Sequence, residues 1–289
     1  GCDKHCTYCI IPQVRGNYRS VPMEDLLSEA GYLAKQGVKE LILVAQETTL
    51  YGVDLYGKKT LPELLERLCT IDGIDWIRIM YCYPEEITDE LIELMKQEAK
   101  ICHYLDIPIQ HASDRILKLM GRRTSKEDLV KIISKLRNNI PDIILRTTLI
   151  TGFPTETEEE HKQLLDFVKE MKFDRLGVFT YSREENTPAA RLKPQISSRV
   201  KKQRQKELME LQQKITFEKT KGLTGKIFDV MIEGRLADED DVYIGRTYMD
   251  TPQVDGYIFI SADAMLMSGD IVKAKVTGAR GYDLIGELA

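Results

Sequence analysis

The sequence lacks any apolar run that approaches the length needed to cross a membrane, and no positively charged and then apolar leader opens it. Hydrophobic residues account for 43% of the chain and charged residues for 30%, which is ordinary for a globular protein. We therefore expect a cytoplasmic protein with no membrane segment. A length of 289 residues allows one large domain and one small domain.

The cysteines do not form the pattern of a disulfide-stabilised domain. Three of the six lie within the run GCDKHCTYC at the start, and such clustered ligands suit a reducing compartment. Cys69, Cys82 and Cys102 are scattered through apolar segments such as RLCTI and IMYCYP. We expect these three to be buried thiols, because free cysteine is among the most buried residue types.

The clustered cysteines, Cys2, Cys6 and Cys9, lack a fourth ligand. A 4Fe-4S cluster is normally held by four thiolates, so three leave one iron free to bind a small molecule, as a catalytic zinc keeps one position open. The alternatives are a structural zinc site or a chance grouping in a loop. Zinc is disfavoured because no further Cys or His follows at finger-like distance, and His5 lies between two ligands, where reaching the same metal would strain the loop. We expect a solvated or hydrogen-bonded His5 imidazole.

The spacing Cys-x3-Cys-x2-Cys, with Tyr8 directly before the last cysteine, resembles the signature of radical S-adenosylmethionine enzymes. The following run CIIPQVRGNYRS, residues 9–20, is similar to the CxxP, RG and RS elements of methylthiotransferases, which modify tRNA adenosines or an aspartate of a ribosomal protein. The chain more strongly resembles the branch that acts on the ribosomal protein. The resemblance implies that the open iron binds S-adenosylmethionine, whose cleavage gives a radical that abstracts hydrogen, while a second S-adenosylmethionine supplies the methyl group.

Alternating strand and helix patterns predict an α/β fold. Helix starts are indicated by Thr88 as a cap and by the Ser125 and Asp128 capping pattern. Strand, helix, strand, helix favours a parallel barrel. A loop such as the cysteine loop should follow a strand, so we expect this chain to be part of a longer protein, with a partial (β/α)6 TIM-like barrel as the resemblance implies. The predicted buried strands are 41–45, 76–81, 104–109, 143–150 and 175–182.

Polar residues follow several predicted strands, where parallel barrels carry their chemistry. Gln46 and Glu47 leave the first strand, and Gln110 and His111 leave the third. The alternative for Gln46 and Glu47 is an ordinary polar surface, and His111 could equally be a hydrogen-bonded rim residue. Together with the resemblance, these positions predict a set of S-adenosylmethionine contacts consisting of Tyr8, Gln46, Glu47, Gln110, Arg146, Gly152 and Tyr181.

The segment LRTTLITGFPTETEEE, residues 145–160, predicts a tight turn from a strand into a helix, with backbone N–H groups facing the cleft. Methylthiotransferases usually read GFPGET at this turn, whereas Thr155 replaces the second glycine here. Threonine tolerates positive φ poorly, so the local backbone is in question. In the later segment YSREENTPAARL, Asn186 stands where glycine is common, a milder change. Tyr181 could stack near the adenine or pack in the core.

A different architecture begins near Pro194. A long polar helix is predicted first, with Val200, Leu208, Leu211, Ile215 and Phe217 packing on the barrel. Five short β-patterned runs follow Gly222 and predict a small all-β barrel of OB type that resembles a TRAM domain. We accordingly predict a radical S-adenosylmethionine core at 1–221 and a TRAM domain at 222–289.

The predicted TRAM domain is acidic. Residues 222–289 carry twelve acidic and six basic side chains, a net charge of −6, while the rest of the chain is close to neutral. TRAM domains generally bind RNA, but phosphates are bound through Lys and Arg. The charge therefore favours a basic partner, such as small-subunit ribosomal protein twelve, over RNA. A merely soluble acidic domain is the alternative.

Further cofactors and partners follow from the resemblance. Full-length methylthiotransferases carry an amino-terminal domain with three more cysteines that hold a second 4Fe-4S cluster, and we expect this chain alone to cleave S-adenosylmethionine at best. A flavodoxin-type or ferredoxin-type electron donor is implied. Two other functions stay open, namely a tRNA methylthiotransferase and a non-catalytic ribosome-binding or RNA-binding module with a structural cluster.

Overall fold

The computed structural model describes residues 1–237, 239 and 241–289. The first part of the chain forms an open parallel sheet in which the strands lie in chain order, β1 to β5. All five predicted strands are present, with bounds shifted by a few residues. The strands are β1 (Glu40–Leu43), β2 (Trp76–Ile79), β3 (Ile101–Asp106), β4 (Ile144–Thr151) and β5 (Arg175–Thr180).

Helices connect these strands and cover one face of the sheet. Thr88 caps its helix by accepting a hydrogen bond from Leu91 N, and Ser125 and Asp128 form a complete capping box, so both predictions are confirmed. The helices are α1 (Ile11–Arg15), α2 (Met23–Lys35), α3 (Val53–Tyr56), α4 (Leu61–Cys69), α5 (Asp89–Gln97), α6 (Asp114–Leu119), α7 (Lys126–Asn139), α8 (Glu158–Met171) and α9 (Ser198–Lys221).

The two faces of the sheet differ in chemistry because side chains alternate along each strand. One face carries aliphatic residues such as Ile77, Leu105 and Leu145, which pack against the helices in the main core. The opposite face carries Trp76 and Tyr104, which pack against the second domain. The sheet is thus covered by helices on one side and by the small domain at the amino-terminal part of the other side.

Helix α9 leads from the sheet to the second domain. Leu208 and Ile215 are buried as predicted, and Leu211 packs against the same core from a half-buried position. The prediction for Val200 is wrong, since this side chain is exposed in the first turn of α9. Polar contacts help to seat the helix, for example the hydrogen bond from Gln212 Nε2 to Phe173 O at 2.8 Å.

The second domain is a closed five-stranded barrel, which confirms the predicted architecture of a parallel α/β core followed by a small all-β barrel. Its order is β10-β8-β7-β6-β9, and the barrel closes because β10 pairs with both β8 and β9. The strands are β6 (Ile227–Arg235), β7 (Val242–Arg246), β8 (Ile258–Ser261), β9 (Ile271–Arg280) and β10 (Asp283–Leu288).

The segment between β7 and β8 packs directly onto the sheet. Tyr104 Oη donates to Asp255 Oδ2 at 2.9 Å, and Arg78 Nη1 donates to Tyr248 O at 2.7 Å. Arg175 Nη2 bonds to Asp250 Oδ1, which is buried. The domains are therefore joined by charged and polar contacts as well as by apolar packing.

Because of these contacts, the exposed surface of the small barrel is less acidic than its composition suggests. Asp250, Asp255 and Glu233 are bound to arginines, while Asp238 and Asp240 lie outside the described residues. Exposed acids and exposed bases are then equally numerous on the described barrel surface. The exposed acids there are Asp229, Glu239, Asp241, Asp263 and Glu287, and the exposed bases are Lys226, Arg235, Lys273, Lys275 and Arg280.

Two composition-based expectations can be compared with the structure. Cys82 and Cys102 are buried, as predicted, whereas Cys69 at the end of α4 is half-buried. All six cysteines are free thiols in the described part of the chain. Among the described residues, no helix combines the length and the apolar character required to span a bilayer.

Candidate functional site

The cysteine loop is fixed by backbone hydrogen bonds to distant parts of the chain. Cys2 N donates to Gly16 O at 3.2 Å, which closes the loop on itself. Thr7 N donates to Met120 O at 2.9 Å, and Ala189 N donates to Thr7 O at 2.9 Å. The loop is therefore held between the end of α6 and the segment after β5, at the carboxyl-terminal edge of the sheet.

The three sulfur atoms are close enough to influence one another electrostatically. Burial raises the pKa of the Cys2 thiol, and Cys6 and Cys9 raise it further. Burial also raises the pKa of Cys9, with a further contribution from Cys6. Across the described residues, no group of three His, Cys, Asp or Glu side chains is compact enough to hold a single metal ion. His5 is exposed, in line with the expectation of a solvated imidazole.

Sequence reasoning missed three residues that form a cluster next to Cys6, centred on the Tyr83 ring. Tyr83 Oη lies 3.4 Å from Cys6 Sγ, and the Arg122 guanidinium stacks over the Tyr83 ring at 4.1 Å. Lys4 Nζ lies 4.8 Å from the same ring and bonds to Glu86. Arg122 and Tyr83 are far from Cys6 along the chain, so the sequence gives no local signal for either.

Arg122 is the clearest sign of an anionic ligand at this site. It is 7% exposed, and its Nη2 donates to Pro108 O at 2.8 Å. Its Nε and Nη1 have no hydrogen-bond partner in the described structure. Buried guanidinium donors rarely stay unpaired, because an unsatisfied buried charge is costly. The site thus presents unused donors beside the cysteine loop, which fits a bound carboxylate or another anion.

Glu47 and Gln46 leave β1 in opposite directions. Glu47 is fully buried and accepts hydrogen bonds from Thr49 N at 3.1 Å and from the Thr49 hydroxyl, while its Oε2 is unpartnered among the described residues. Burial raises the pKa of Glu47 to about 7, against the opposing effects of the Thr49 hydrogen bond and Lys4. Gln46 is exposed. Only the Glu47 side chain is thereby directed into the protein near the cysteine loop.

Gln110 and His111 follow β3 beside β4. Gln110 has φ of +71° and continues the pairing, since its N donates to Thr148 O at 2.9 Å and its O accepts from Ile150 N at 2.8 Å. Its buried Oε1 finds no partner in the part of the chain that the structure describes. His111 is fully buried, and its Nδ1 accepts from Ser113 N at 2.9 Å. His111 is thus hydrogen-bonded, as the alternative to a functional role expected, but it is buried and not at an exposed rim.

The predicted turn after β4 is present, and the backbone is left-handed both at Thr155 in this turn and at Asn186 in the segment after β5. Gly152 has φ of +68°, and a Cβ there would meet Lys201 Cγ of α9 at 2.4 Å, so this glycine allows helix and turn to touch. Thr155 has φ of +70° and Asn186 has φ of +64°, the left-handed conformations that glycine would favour. Glu156 closes the turn by accepting from Phe153 N at 3.0 Å.

Tyr8 and Tyr181 belong to one aromatic cluster next to the turn. Tyr181 is buried, and its ring meets Phe153 edge-on at 5.3 Å, while Tyr8 packs against the same group. Lys201 Nζ lies 4.7 Å from the Tyr181 ring and donates to Tyr181 O at 2.7 Å. The Tyr181 ring is thus packed in the core at the edge of the site.

Arg146 lies near the amino-terminal end of β4, on the face of the sheet opposite the helices. Its Nη1 donates to Asp106 Oδ1 at 3.3 Å. The Asp106 carboxylate is buried, whereas the Arg146 side chain is 20% exposed. Arg146 is therefore separated from the cysteine loop by the carboxyl-terminal half of its own strand.

Comparisons with known proteins agree with this site. The model of the radical SAM superfamily matches residues 1–168, and the model of the TRAM domain matches residues 224–289. The chain is 68% identical over 286 residues to ribosomal protein uS12 methylthiotransferase RimO of Lachnoclostridium phytofermentans, covering 99% of this chain and 65% of that protein. The corresponding protein of Clostridioides difficile is 54% identical over 100% of this chain and 64% of its own length. The chain thus spans slightly less than two thirds of these relatives.

A solved structure supports the fold alone. The radical S-adenosylmethionine methyltransferase TsrM from Kitasatospora setae, with cobalamin and a 4Fe-4S cluster bound, matches 65% of this chain and 37% of its own with a TM-score of 0.54 and 18% identity. The superfamily model, by contrast, covers more than half of this chain and includes the cysteine loop. On these grounds the chain belongs to the radical SAM superfamily.

Proposed function

We propose that this chain is the catalytic core of a methylthiotransferase that modifies the β carbon of an aspartate in small-subunit ribosomal protein twelve. The observation that carries the proposal is the cysteine loop beside the unpaired donors of Arg122. The names and identities of the relatives supply the substrate. The chain divides into a radical S-adenosylmethionine core at 1–221 and a TRAM domain at 222–289.

Cys2, Cys6 and Cys9 would hold a 4Fe-4S cluster and leave one iron for S-adenosylmethionine. When bound, the cluster and S-adenosylmethionine supply a radical that removes hydrogen from an unactivated carbon, which no side-chain base can do. Arg122 offers donors for a carboxylate, and the unpartnered Oε2 of Glu47 offers an acceptor for an ammonium or hydroxyl group.

Further predicted contacts belong to segments that meet near the cysteine loop. The Gln110 amide oxygen is a second buried acceptor without a partner in the described chain. Gly152 lies in the turn after β4, packed against Lys201 of α9, and the Tyr8 and Tyr181 cluster lies next to this turn. Gln46, the exposed neighbour of Glu47, completes the proposed set of S-adenosylmethionine contacts. Arg146, the other predicted member, lies away from the cysteine loop beside Asp106, and we do not retain it in this set.

The cofactor proposal is tested by anaerobic reconstitution of the purified chain with iron and sulfide. We expect one four-iron cluster per chain and, after reduction, cleavage of S-adenosylmethionine to deoxyadenosine and methionine. Cys6→Ala should abolish both, whereas the matched variant Cys69→Ala should preserve both, because Cys69 lies outside the loop. Uptake of zinc alone, or undiminished cleavage by Cys6→Ala, would contradict the proposal.

The substrate proposal is tested by mass analysis of ribosomal protein twelve and of tRNA from cells with and without the full-length gene. Loss of a methylthio increment from one aspartate supports the proposal. Loss from tRNA adenosine would support the other methylthiotransferase branch, which the equal number of exposed acids and bases among the described residues of the small barrel does not oppose. If the reconstituted chain binds the ribosomal protein or RNA but does not cleave S-adenosylmethionine, it is a non-catalytic module.

The partners are part of the same proposal. We propose that the protein acts in the cytoplasm with a flavodoxin-type or ferredoxin-type electron donor, and that a preceding domain supplies a second cluster. We also propose that the TRAM domain binds the ribosomal protein or its subunit. Because three of its acids already pair with arginines, this attraction should be weaker than the composition suggests.

A further inference from the structure

Three charged residues form a row on the face of the sheet opposite the helices. Asp106, Arg146 and Arg175 are directly paired in register across β3, β4 and β5. Toward the amino-terminal ends of the strands, Tyr104 and Ile144 pack against the small barrel. This row, hereafter the charged row, thus lies between the small barrel and the carboxyl-terminal edge that carries the cysteine loop.

The two arginines of the charged row differ in their partners. Arg175 is neutralised by the small barrel, because it bonds to Asp250 and its Nε lies 3.8 Å from Asp255. Arg146 has one side-chain hydrogen bond in the described chain, from Nη1 to Asp106. A guanidinium has five N–H donors. Most of the donors of Arg146 therefore lack an acceptor among the described residues, and its side chain is partly open to solvent.

Asp106 fixes the position of Arg146 and of a neighbouring aromatic residue. Its other oxygen accepts from Tyr81 N at 3.4 Å. Tyr81 has φ of +58° and its side chain is 44% exposed, an unusual combination for a large aromatic residue. Phe179 on β5, paired with Ile150, is 61% exposed. Strained backbone and exposed aromatic rings are characteristic of binding surfaces.

We propose that Arg146 binds the carboxylate of the substrate aspartate and thereby selects an acidic side chain in the substrate. In this role Arg146 does not contact S-adenosylmethionine. This inference rests on the proposed function. The planar guanidinium matches a carboxylate in bidentate geometry. Asp106 orients the guanidinium from the buried side, while Tyr81 and Phe179 offer apolar contacts to the segment that carries the aspartate.

The test is a binding cycle with purified ribosomal protein twelve and its Asp→Asn form at the modified position. For the unaltered chain, Asp→Asn should weaken binding about tenfold to a hundredfold, the effect of losing a charge-assisted hydrogen bond. For Arg146→Gln, the two forms should bind equally. Arg146→Lys keeps the charge without the bidentate fork and should show an intermediate discrimination.

Folding and specificity need controls, because Arg146→Gln leaves the buried Asp106 without its cation. The double variant Asp106→Asn with Arg146→Gln removes both charges and should likewise bind both forms equally. Arg199→Gln changes an exposed arginine of α9 and should retain full discrimination. Equal discrimination by the unaltered chain and a folded Arg146 variant would overturn the inference.

S-adenosylmethionine affinity separates the inference from its alternatives. Arg146→Gln should bind S-adenosylmethionine within about twofold of the unaltered chain, because Arg122 supplies the donors beside the cysteine loop. A tenfold loss would assign Arg146 to the cofactor and refute the inference. If tRNA binds and the ribosomal protein does not, the proposed substrate fails. If the ribosomal protein binds with no preference for aspartate, the inference alone fails.

Discussion

Thr155 adopts a left-handed backbone conformation that is unfavourable for a β-branched residue. Its φ is +70°, and this conformation costs about 1–2 kcal/mol for residues with a Cβ. Thr155 N donates to Pro194 O at 3.0 Å, and Arg115 bonds to its carbonyl and hydroxyl oxygens. The surrounding contacts therefore hold the turn in a conformation that the residue itself disfavours.

We expect Thr155→Gly to stabilise the chain by about 0.5–1 kcal/mol, because relief of the left-handed strain exceeds the added flexibility of the unfolded chain. The measurement is the midpoint of urea unfolding. Gly152→Ala is the opposite test, since its Cβ would meet Lys201 Cγ at 2.4 Å, and it should lower the midpoint. A lower midpoint for Thr155→Gly would show that the lost hydroxyl contact outweighs the strain.

Residue-level prediction succeeds where the cause is local. Asn186 stands where related sequences carry glycine, and its backbone is left-handed, a conformation that asparagine tolerates. At Thr155 the sequence leaves the backbone conformation in question, and only the structure shows that it is left-handed as well. Arg122 and Tyr83 could not be predicted, because their contact with the cysteine loop depends on how separate loops meet at the edge of the sheet. Long-range contacts of this kind leave no periodic or spacing signal in the sequence.

At the level of elements, the start of α8 depends on one glutamate. Glu160 completes a capping box with Thr157, accepts from Ser113 Oγ at 2.9 Å and forms two hydrogen bonds with Arg115. Burial opposes ionisation, but these bonds prevail and lower the pKa of Glu160 to about 2. The charged carboxylate therefore joins α8 to α6 and stabilises both helix starts.

Glu160→Gln should reduce the free energy of unfolding at neutral pH by about 2 kcal/mol, the worth of charged hydrogen bonds. Because the folded-state pKa is depressed, this stabilisation exists above the unfolded pKa and disappears as the pH falls from about 4.5 to about 2. Urea unfolding across that range should show the two proteins converging in acid. Glu159→Gln, an exposed neighbour in the same turn, should follow the unaltered chain. A gap that persists in acid would contradict the assignment.

The positions of helices and strands were easier to predict than the side chains that each face of the sheet carries. The caps at Thr88 and Ser125 are local and were found, and the apolar runs located all five parallel strands. The runs were interpreted as buried strands, although the face opposite the helices carries Arg78, Asp106 and Arg146. Arg78 is accommodated on that face by contacts with the second domain, and Arg146 by Asp106 and partial exposure to solvent. The sequence of a single strand does not reveal these partners.

At the scale of the whole molecule, the two domains share a network of charges. Glu40 accepts from Arg78 Nε at 2.8 Å and from Arg246 Nη2 at 2.7 Å, and Arg246 also bonds to Glu233. Arg175 provides a second connection through Asp250. Since these groups are largely buried, their pairing matters for stability and resists salt, unlike exposed ion pairs.

The strongest test of this interface is Arg175→Gln. It leaves Asp250 buried without its cation, which should cost about 3–5 kcal/mol. Trp76 is the single tryptophan and packs in the apolar cluster between the domains, so its fluorescence reports their separation during urea unfolding. Pairing the variant with Asp250→Asn should restore part of the loss, because no uncompensated charge then remains at that contact. Lys273→Gln disrupts an exposed pair with Asp229 and should change stability by less than about 0.5 kcal/mol. An Arg175→Gln protein as stable as the Lys273→Gln control would show that the Arg175–Asp250 pair does not stabilise the junction between the domains.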